Sequence, residues 1–358
     1  MSTLRFHYDF APGEILHTPD AAKRIEMLKA VGVRTIWLDC YTYGTWLASW
    51  QEIADAKVLL EQHGFEVQAL TVPVGHGSGA LLGDGQDPDL PKSWQNRVNA
   101  HGQPVALAAC INQEQMIKES REVAKTLQEL GFTKLFYDDD LRVGPWGPSL
   151  QGCFCPRCMQ SFYQKYPQYS GMSGAEILAT ATEGDALWRA WSDVQCDHVL
   201  RFIEQTVPDG MTPGIMVMHN GDQRHGVDIA RIKSRFPNAL FRVGEGHFED
   251  ASFESEMAER AIRTSIQRHL CAIGSVQNAM SESTVYPENA LRPENLVRKL
   301  ELEIRCGLRE LFLMSGLFYL DKAYWQAIAK ARPALEALAQ SLPSPDLNQT
   351  PDSFVWHL

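Results

Sequence analysis

The chain has 358 residues, 44% of them hydrophobic and 22% charged, and this ordinary globular composition excludes a disordered or fibrous protein. The formal net charge of −11 and the lack of basic runs argue against a nucleic-acid partner. The longest apolar runs, such as Ala106–Ile111, are too short to span a bilayer, and the N-terminal residues contain no apolar signal core. We therefore expect a cytoplasmic protein without nucleic-acid or membrane partners.

Strand-like and helical patterns alternate along the first part of the chain. The runs rich in β-branched and aromatic residues are Leu4–Phe10, Thr35–Cys40, Glu66–Val74 and Lys134–Asp138. The runs with helical spacing of apolar residues are Asp20–Val31, Trp50–His63 and Gln113–Leu130. Gly64 and Gly131 follow two of these helices in the position where glycine commonly ends a helix. Between Gly75 and Gln103 we expect a loop rich in glycine and proline.

The same alternation continues to the end of the chain. We predict strands at Gly214–His219, Ala239–Val243, Ser275–Ser281 and Glu310–Met314. We predict helices at Cys158–Tyr166, Asp185–Gln205, Asp228–Phe236, Ser255–Leu270, Asn295–Cys306 and Tyr324–Gln340. Eight strand–helix pairs favour an α/β fold that closes as a (β/α)₈ TIM barrel over residues 1–341. Residues 342–358 are interpreted as a tail or the stub of a further domain. The rival fold is an open doubly wound sheet, but no glycine-rich phosphate loop follows the first strand.

The predicted strands end in polar residues, and TIM-barrel active sites lie at these carboxyl ends. The candidates for substrate contacts and chemistry are Asp39, Tyr41, His76, Asp138, Asp139, Asp140, Arg142, His219, Asn220, Glu245, His247, Asn278 and Glu282. Contact with water explains some polar strand ends, but it explains carboxylates and histidines less well. Trp146 is the best candidate for an aromatic platform under a sugar ring, although large aromatic residues are more often simply buried.

Three of the eight cysteines form a C-x-C-x-x-C motif at Cys153, Cys155 and Cys158. Such close spacing lets thiolates converge on one metal ion, and structural zinc takes four ligands. Cys110 is the most attractive fourth ligand, because it lies just before the helix that leads into the fourth strand. Without a secretory signal, a disulfide framework is a weaker interpretation. The motif is also compatible with a redox pair, with unpaired cysteines and with an iron–sulfur cluster.

Cys110 followed by this motif resembles the zinc site of family 42 β-galactosidases, which are retaining glycosidases built on a (β/α)₈ barrel. Cys110-Ile111-Asn112 also resembles the Cys-x-Asn start of the corresponding helix in that family. The resemblance implies that the loop at residues 153–158 binds a structural Zn²⁺, since four thiolates leave no open coordination position. Family 42 enzymes are often trimers through a domain that follows the barrel, and this chain stops before such a domain. Homo-oligomerisation is therefore left open.

The resemblance also assigns roles to carboxylates. In the family, an Asn-Glu pair ends the fourth strand and supplies the acid/base, and a glutamate ends the seventh strand as the nucleophile. Aligning the pair sets Asp139 at the asparagine and Asp140 at the acid/base, and Glu282 corresponds to the nucleophile. Here aspartate replaces glutamate, which shortens the side chain by one methylene, and the asparagine is missing. The family's arginine four residues before the first cysteine is Ala106, so β-galactosidase activity is not assumed.

The residues themselves leave several carboxylates in competition. In an extended strand, Asp138 and Asp140 point to one side and Asp139 to the other. Like charges raise the pKa of at least one member of such a triplet, as a general acid requires, but they leave its members unranked. The alternation and the resemblance together favour Asp140, with Asp138 second. Glu245 lies between two glycines and is the rival to Glu282 as the reacting carboxylate.

The leading hypothesis is a glycoside hydrolase that cleaves a carbohydrate O-glycosidic bond with a pair of carboxylates, with retention of configuration. A second hypothesis is a metal-dependent barrel hydrolase or sugar isomerase, with a site drawn from His7, Asp9, His76, His219, Glu245 and His247. A third hypothesis is a barrel that binds carbohydrate without cleaving it.

Overall fold

The computed structural model describes residues 4–74, 89–138, 141, 143–144, 150–217, 223–316 and 319–348. The strands are β1 Arg5–Phe10, β2 Val33–Thr42, β3 Thr45–Trp46, β4 Glu66–Val72, β5 Asn96–Val98, β6 Pro104–Ala109, β7 Lys134–Tyr137, β8 Thr212–Val217, β9 Leu240–Val243, β10 Ala279–Met280, β11 Ser283–Thr284 and β12 Glu310–Met314. The helices are α1 Gly13–Leu16, α2 Ala21–Val31, α3 Trp50–Gln62, α4 Glu114–Glu129, α5 Pro156–Lys165, α6 Gly174–Thr180, α7 Ala186–Thr206, α8 Ile229–Arg235, α9 Asp250–Phe253, α10 Ala258–Ile273, α11 Pro293–Arg305 and α12 Lys322–Ser341.

Parallel strands close into a barrel with eight positions, one of which is shared by the short consecutive strands β10 and β11. Around the ring they are β1, β2, β4, β7, β8, β9, the pair β10 and β11, and β12, and β12 pairs with β1. Parallel neighbours need crossover connections, and the helices between the strands supply them. The predicted (β/α)₈ TIM barrel is therefore confirmed.

Alternation along the strands sorts the apolar residues into two layers. One set fills the barrel interior and comprises Trp37, Tyr43, Leu70, Val72, Phe136, Met216, Met280, Phe312 and Met314. The larger set packs the outer face of the strands against the helices. Trp37, Phe136 and Phe312 contact one another through their rings, so the interior is a packed core, as in other barrels of this type. Polar side chains that face inward beyond this layer are consequently held by rigid strands.

Two predicted elements differ from the observed ones. The strand predicted over Ser275–Ser281 begins only at Ala279, because Asn278 Nδ2 donates to the Ala239 carbonyl (2.9 Å) at the start of the neighbouring strand. The loop predicted from Gly75 to Gln103 contains β5, which pairs antiparallel with β6. Frequent polar residues between Asn96 and Gln103 hid this hairpin in the sequence.

The segment after α12 lies against the outside of the barrel. Leu342 and Leu347 pack on the outer apolar layer, and the Pro345 ring lies where a side chain on Gly307 would project. Residues 349–358 of the predicted tail lie outside the described residues. Within the described ranges, every helix is too short or too polar to cross a membrane.

Candidate active site

Three buried aspartates lie at the carboxyl ends of the strands β1, β2 and β7. Asp9 lies in β1, Asp39 in β2, and Asp138 directly after β7, and their exposed fractions are only 2%, 4% and 8%. Burial raises the pKa of Asp9 well above its usual value, and the charge of Asp138 adds to this effect. Burial likewise raises the pKa of Asp39, with further contributions from Asp9 and Asp138. One oxygen of Asp9 and one of Asp39 have no hydrogen-bond partner among the described residues, so both can accept from a ligand.

Arg242 links this group to a second carboxylate. It enters from β9 and is buried, and its Nη2 lies 2.5 Å from Asp138 Oδ1 and 3.9 Å from Glu282 Oε1. The guanidinium also lies 5.6 Å from the Phe136 ring centroid and 5.5 Å from that of Phe312, within the range of cation–π attraction. Arg242 was not among the predicted site residues. A charged residue inside the apolar run Ala239–Val243 is the signal that could have found it.

Glu282 lies between β10 and β11 and is held by the backbone that follows β9. Its Oε2 accepts hydrogen bonds from the amides of Glu245 (2.7 Å) and Gly246 (3.1 Å). The amide of Glu282 in turn donates to Glu245 Oε1 at 3.1 Å. Two of the predicted carboxylates, Glu282 and the second choice at the fourth strand, Asp138, therefore lie beside one guanidinium.

Glu245 occupies a different environment from Glu282, although both are buried. Burial raises the pKa of Glu245 well above its usual value, the charge of Glu303 raises it further, and Lys299 opposes the shift. Glu245 Oε1 accepts from the Glu282 amide, whereas its Oε2 is buried without a hydrogen-bond partner among the described residues.

Helix α11 contributes two buried charged residues that sequence reasoning missed. Lys299 Nζ donates to the carbonyls of Gly246 (2.7 Å) and Glu282 (2.8 Å). Glu303 Oε2 accepts from Ser283 Oγ at 2.7 Å. Both residues share the apolar face of the helix with Leu296 and Leu300, and charges at these helical positions were the available signal.

Two of the predicted contact residues, Tyr41 and Asn278, lie away from these carboxylates. The register of β2 shifts between Asp39 and Tyr41, so Tyr41 packs on Trp46 in the outer layer, with ring centroids 5.4 Å apart. Asn278 precedes its strand and therefore lies at the amino end of the barrel.

His247 remains close to Glu282 in the chain segment that follows β9. Its Nδ1 lies 3.0 Å from the Ser252 carbonyl oxygen. Burial lowers its pKa, and the charge of Lys299 lowers it further. The other predicted residues lie outside the described residues: His76, Asp139, Asp140, Arg142, Trp146, His219 and Asn220.

The four predicted metal ligands are gathered in one buried group. The sulfur atoms of Cys110, Cys153, Cys155 and Cys158 all lie within 4.8 Å of one another. Within the described part of the chain, this is the one convergent set of histidine, cysteine or carboxylate ligands. Four thiols at this separation fit a tetrahedral metal with sulfur ligands, for which zinc and iron are the usual ions.

Neighbouring N–H groups point at the sulfur atoms. Asn112 Nδ2 lies 3.8 Å from Cys158 Sγ, and the Val98 amide lies 3.5 Å from Cys153 Sγ. Arg201 Nη1 donates to Asn112 Oδ1 at 2.8 Å and so fixes the orientation of that amide. Donors of this kind stabilise the negative charge of metal-bound thiolates. The group joins the end of β6 to the start of α5, on the outside of the barrel.

No protein-family model and no curated protein matches the chain. Among solved structures, it is similar to Gan42B, a GH42 β-galactosidase from G. stearothermophilus, with a TM-score of 0.62 at 13% identity over 95% of this chain and 57% of that one. The β-galactosidase from Bacillus circulans sp. alkalophilus gives a TM-score of 0.60 at 11% identity, over 94% and 56%. That from Marinomonas ef1 gives 0.58 at 10%, over 95% and 62%. The chain spans less than two thirds of each of these proteins, and at such identities the likeness establishes the barrel fold.

Proposed function

We propose that the chain is a glycoside hydrolase that cleaves an O-glycosidic bond with retention of configuration. The observation that carries the proposal is Glu282 at the carboxyl ends of the barrel strands, whose Oε1 lies 3.9 Å from Arg242 Nη2, the nitrogen that also pairs with Asp138 at the start of the acidic segment after β7. Carboxylates from two nearby strands are what retaining hydrolysis needs, at a separation of about 5–5.5 Å. The fold shared with GH42 β-galactosidases agrees with this reaction class.

In this mechanism Glu282 is the nucleophile. The amides of Glu245 and Gly246 hold its Oε2, which leaves Oε1, the oxygen near Arg242, for attack on the anomeric carbon. The positive charge of Arg242 keeps the carboxylate ionised, as a nucleophile must be. As Glu282 attacks, the glycosidic bond breaks and the acid/base protonates the leaving oxygen. The same group then takes a proton from water, which attacks the anomeric carbon, breaks its bond to Glu282 and releases the sugar.

The acid/base comes from the segment Asp138–Asp140. Asp138 pairs with Arg242 at 2.5 Å, and this pairing stabilises the charged form of Asp138, whereas a general acid must hold a proton. We therefore retain Asp140 as the acid/base and give Asp138 the role of orienting Arg242.

The sugar contacts proposed within the described residues are Asp9 and Asp39, whose unpartnered buried oxygens suit sugar hydroxyl groups. The similar solved structures are β-galactosidases, but Ala106 stands where family 42 has an arginine. Galactose is thus one of several sugars to test, and a panel of aryl glycosides identifies the preferred one.

We further propose that Cys110, Cys153, Cys155 and Cys158 bind a structural Zn²⁺. Four thiolates complete a tetrahedron, so the ion stabilises the fold and leaves the sugar chemistry to the carboxylates. Among the described residues, the histidines and carboxylates named for a metal-dependent hydrolase form no group close enough to hold one metal ion, and His76 and His219 lie outside those residues.

The test is the variant Glu282→Gln, which keeps the size of the side chain and removes its charge. We expect hydrolysis of the preferred aryl glycoside to fall by on the order of 10⁴-fold or more, the scale seen when a covalent nucleophile is lost. Glu66→Gln is the control, because Glu66 begins β4 at the opposite end of the barrel. Wild-type rates for a folded Glu282→Gln protein would refute the assignment.

A further inference from the structure

We propose that Lys299 is a positioning residue for Glu282, which it serves by fixing the backbone that follows β9 against it. The inference depends on the proposed function, in which Glu282 is the nucleophile. It concerns a part of the molecule that contacts no sugar, since Lys299 and Glu303 are both fully buried in α11.

The first step is the mutual hydrogen bonding of two chain segments. Residues 245 and 246 donate two backbone hydrogen bonds to the Glu282 carboxylate, and Glu245 Oε1 accepts one from the Glu282 amide. These three bonds define the position of Oε1, because the other oxygen is held at two points. Any movement of the segment Gly244–Gly246 would therefore move the reacting carboxylate.

The ammonium group of Lys299 donates hydrogen bonds to both the segment after β9 and the segment that contains Glu282. Its Nζ donates to the carbonyl oxygens of Gly246 and Glu282 at 2.7 and 2.8 Å, and it lies 5.3 Å from the Phe248 ring centroid. The bonds run to backbone atoms on both sides of the contact with the nucleophile. We call these two hydrogen bonds, which connect both segments to helix α11, the clamp.

The charge of Lys299 is balanced within the same buried group. The carboxyl of Glu245 interacts electrostatically with both Glu303 and Lys299, and the positive charge of Lys299 opposes the rise that burial causes in the pKa of Glu245. Ser283 Oγ donates to Glu303, and Ser283 Oγ lies 2.6 Å from Ser281 Oγ, which accepts from the Phe312 amide. The group is thus connected to the last barrel strand.

The decisive variant is Lys299→Met, with Lys233→Met as the matched control. Lys233 also donates to a backbone carbonyl, that of Ile273, but it lies in α8 at the other end of the barrel. We expect kcat per folded molecule to fall by ~100-fold in Lys299→Met, as for a misplaced reacting group, with KM changed much less. Lys233→Met should keep the wild-type kcat. An unchanged kcat in folded Lys299→Met would overturn the proposal.

A second pair of variants separates positioning from charge balance. Lys299→Met leaves buried carboxyls without their cation and can prevent folding, whereas Lys299→Met/Glu303→Gln allows a neutral group with Glu245 protonated. The double variant should fold and still show the low kcat, because the clamp is absent. Glu303→Gln alone keeps an acceptor for Ser283 and leaves both Lys299 hydrogen bonds in place, so it should retain kcat within a few-fold of wild type. Equal losses in Glu303→Gln and the double variant would contradict the role of Lys299.

Amide hydrogen exchange decides the inference even if no glycoside is hydrolysed. We expect peptides covering Gly244–His247 to exchange at least ~10-fold faster in the folded Lys299 variants than in wild type or Lys233→Met, since the bonds that protect them open more often. Unchanged exchange there would overturn the positioning role. Absence of hydrolysis by the wild-type protein, with faster exchange in the variants, would instead refute the proposed function and leave the clamp intact.

Discussion

The cysteine group and the carboxylate group are built in opposite ways. Three of the four cysteines come from one short segment and bring identical ligands to a closed buried site on the outside of the barrel. The carboxylates come from β1, β2, the end of β7, the segment after β9 and the connection between β10 and β11. They are held by the cations Arg242 and Lys299. The comparison teaches that local spacing suffices for a structural site, whereas the reacting site requires the closed barrel.

The largest effect should follow from removing the shared cation. Arg242→Met leaves two buried carboxylates without their common partner, so we expect a loss of unfolding free energy of about 3–5 kcal/mol and a large fall in kcat/KM. Urea unfolding and steady-state kinetics measure the two effects. Arg242→Lys keeps the charge but not the planar donor group, and it should be intermediate in both. A stable, fully active Arg242→Met protein would show that the two carboxylates do not act together.

A substitution in the cysteine group should lower stability and leave kcat nearly unchanged. Cys158→Ser is expected to lower the free energy of unfolding by on the order of 3 kcal/mol, because a metal that binds the folded chain contributes folding energy. Bound zinc should fall below one ion per chain, as measured by elemental analysis, while kcat per folded molecule stays within a few-fold of wild type. Cys271→Ser, at a cysteine outside the group, is the control. Loss of kcat without loss of stability would mean that the metal takes part in the chemistry.

The buried aspartates should make stability depend on pH. The pKa of Asp39 is raised on folding, so the native state binds more protons than the unfolded state above the usual pKa of about 4. Wild-type stability should therefore fall as pH rises from there through the folded pKa. Asp39→Asn should reduce this slope, because Asp9 keeps its own contribution, and should be more stable than wild type at pH 7.5, by at least about 1 kcal/mol, with a smaller difference at pH 4.5. Urea unfolding at both pH values checks this, and a less stable variant at pH 7.5 would contradict it.

The smallest effect compares two glycines with left-handed backbone. Gly246 has a φ of +65° and Gly102 a φ of +78°, and a side chain at either would meet no atom within 4 Å. Alanine at each position should cost about 1–2 kcal/mol of backbone strain, measured by urea unfolding. Only Gly246→Ala should also lower kcat, because Gly246 donates to Glu282 while Gly102 lies in the turn between β5 and β6. Similar kcat values for the two variants would separate the segment after β9 from the chemistry.

The sequence predicted the barrel well, because eight alternating strand and helix patterns leave few other architectures. The sequence also predicted that the four cysteines lie together, since their spacing and their position relative to the helix are local properties. Glu282, Asp138 and Asp39 were named as candidates because polar residues end apolar strands, and the structure places all three at the carboxyl ends of barrel strands.

The errors arose where tertiary contacts override local pattern. The register shift in β2 after Asp39 turned Tyr41 outward, and no feature of the sequence marks that shift. Sequence reasoning missed Arg242, Lys299 and Glu303, because a charged residue in an apolar strand or on the apolar face of a helix does not by itself indicate its partner. Their partners come from other elements, so the pairings follow only from the closed barrel.

The most direct test of the central claim is to trap the sugar on the enzyme. A 2-deoxy-2-fluoro glycoside with an activated leaving group, of the sugar that the panel identifies, should accumulate as a covalent glycosyl-enzyme. Mass spectrometry of the digested protein should locate the added mass on the peptide at Glu282, and the Glu282→Gln variant should gain none. Labelling of Glu245 instead, or turnover to a product of inverted configuration without labelling, would contradict the account.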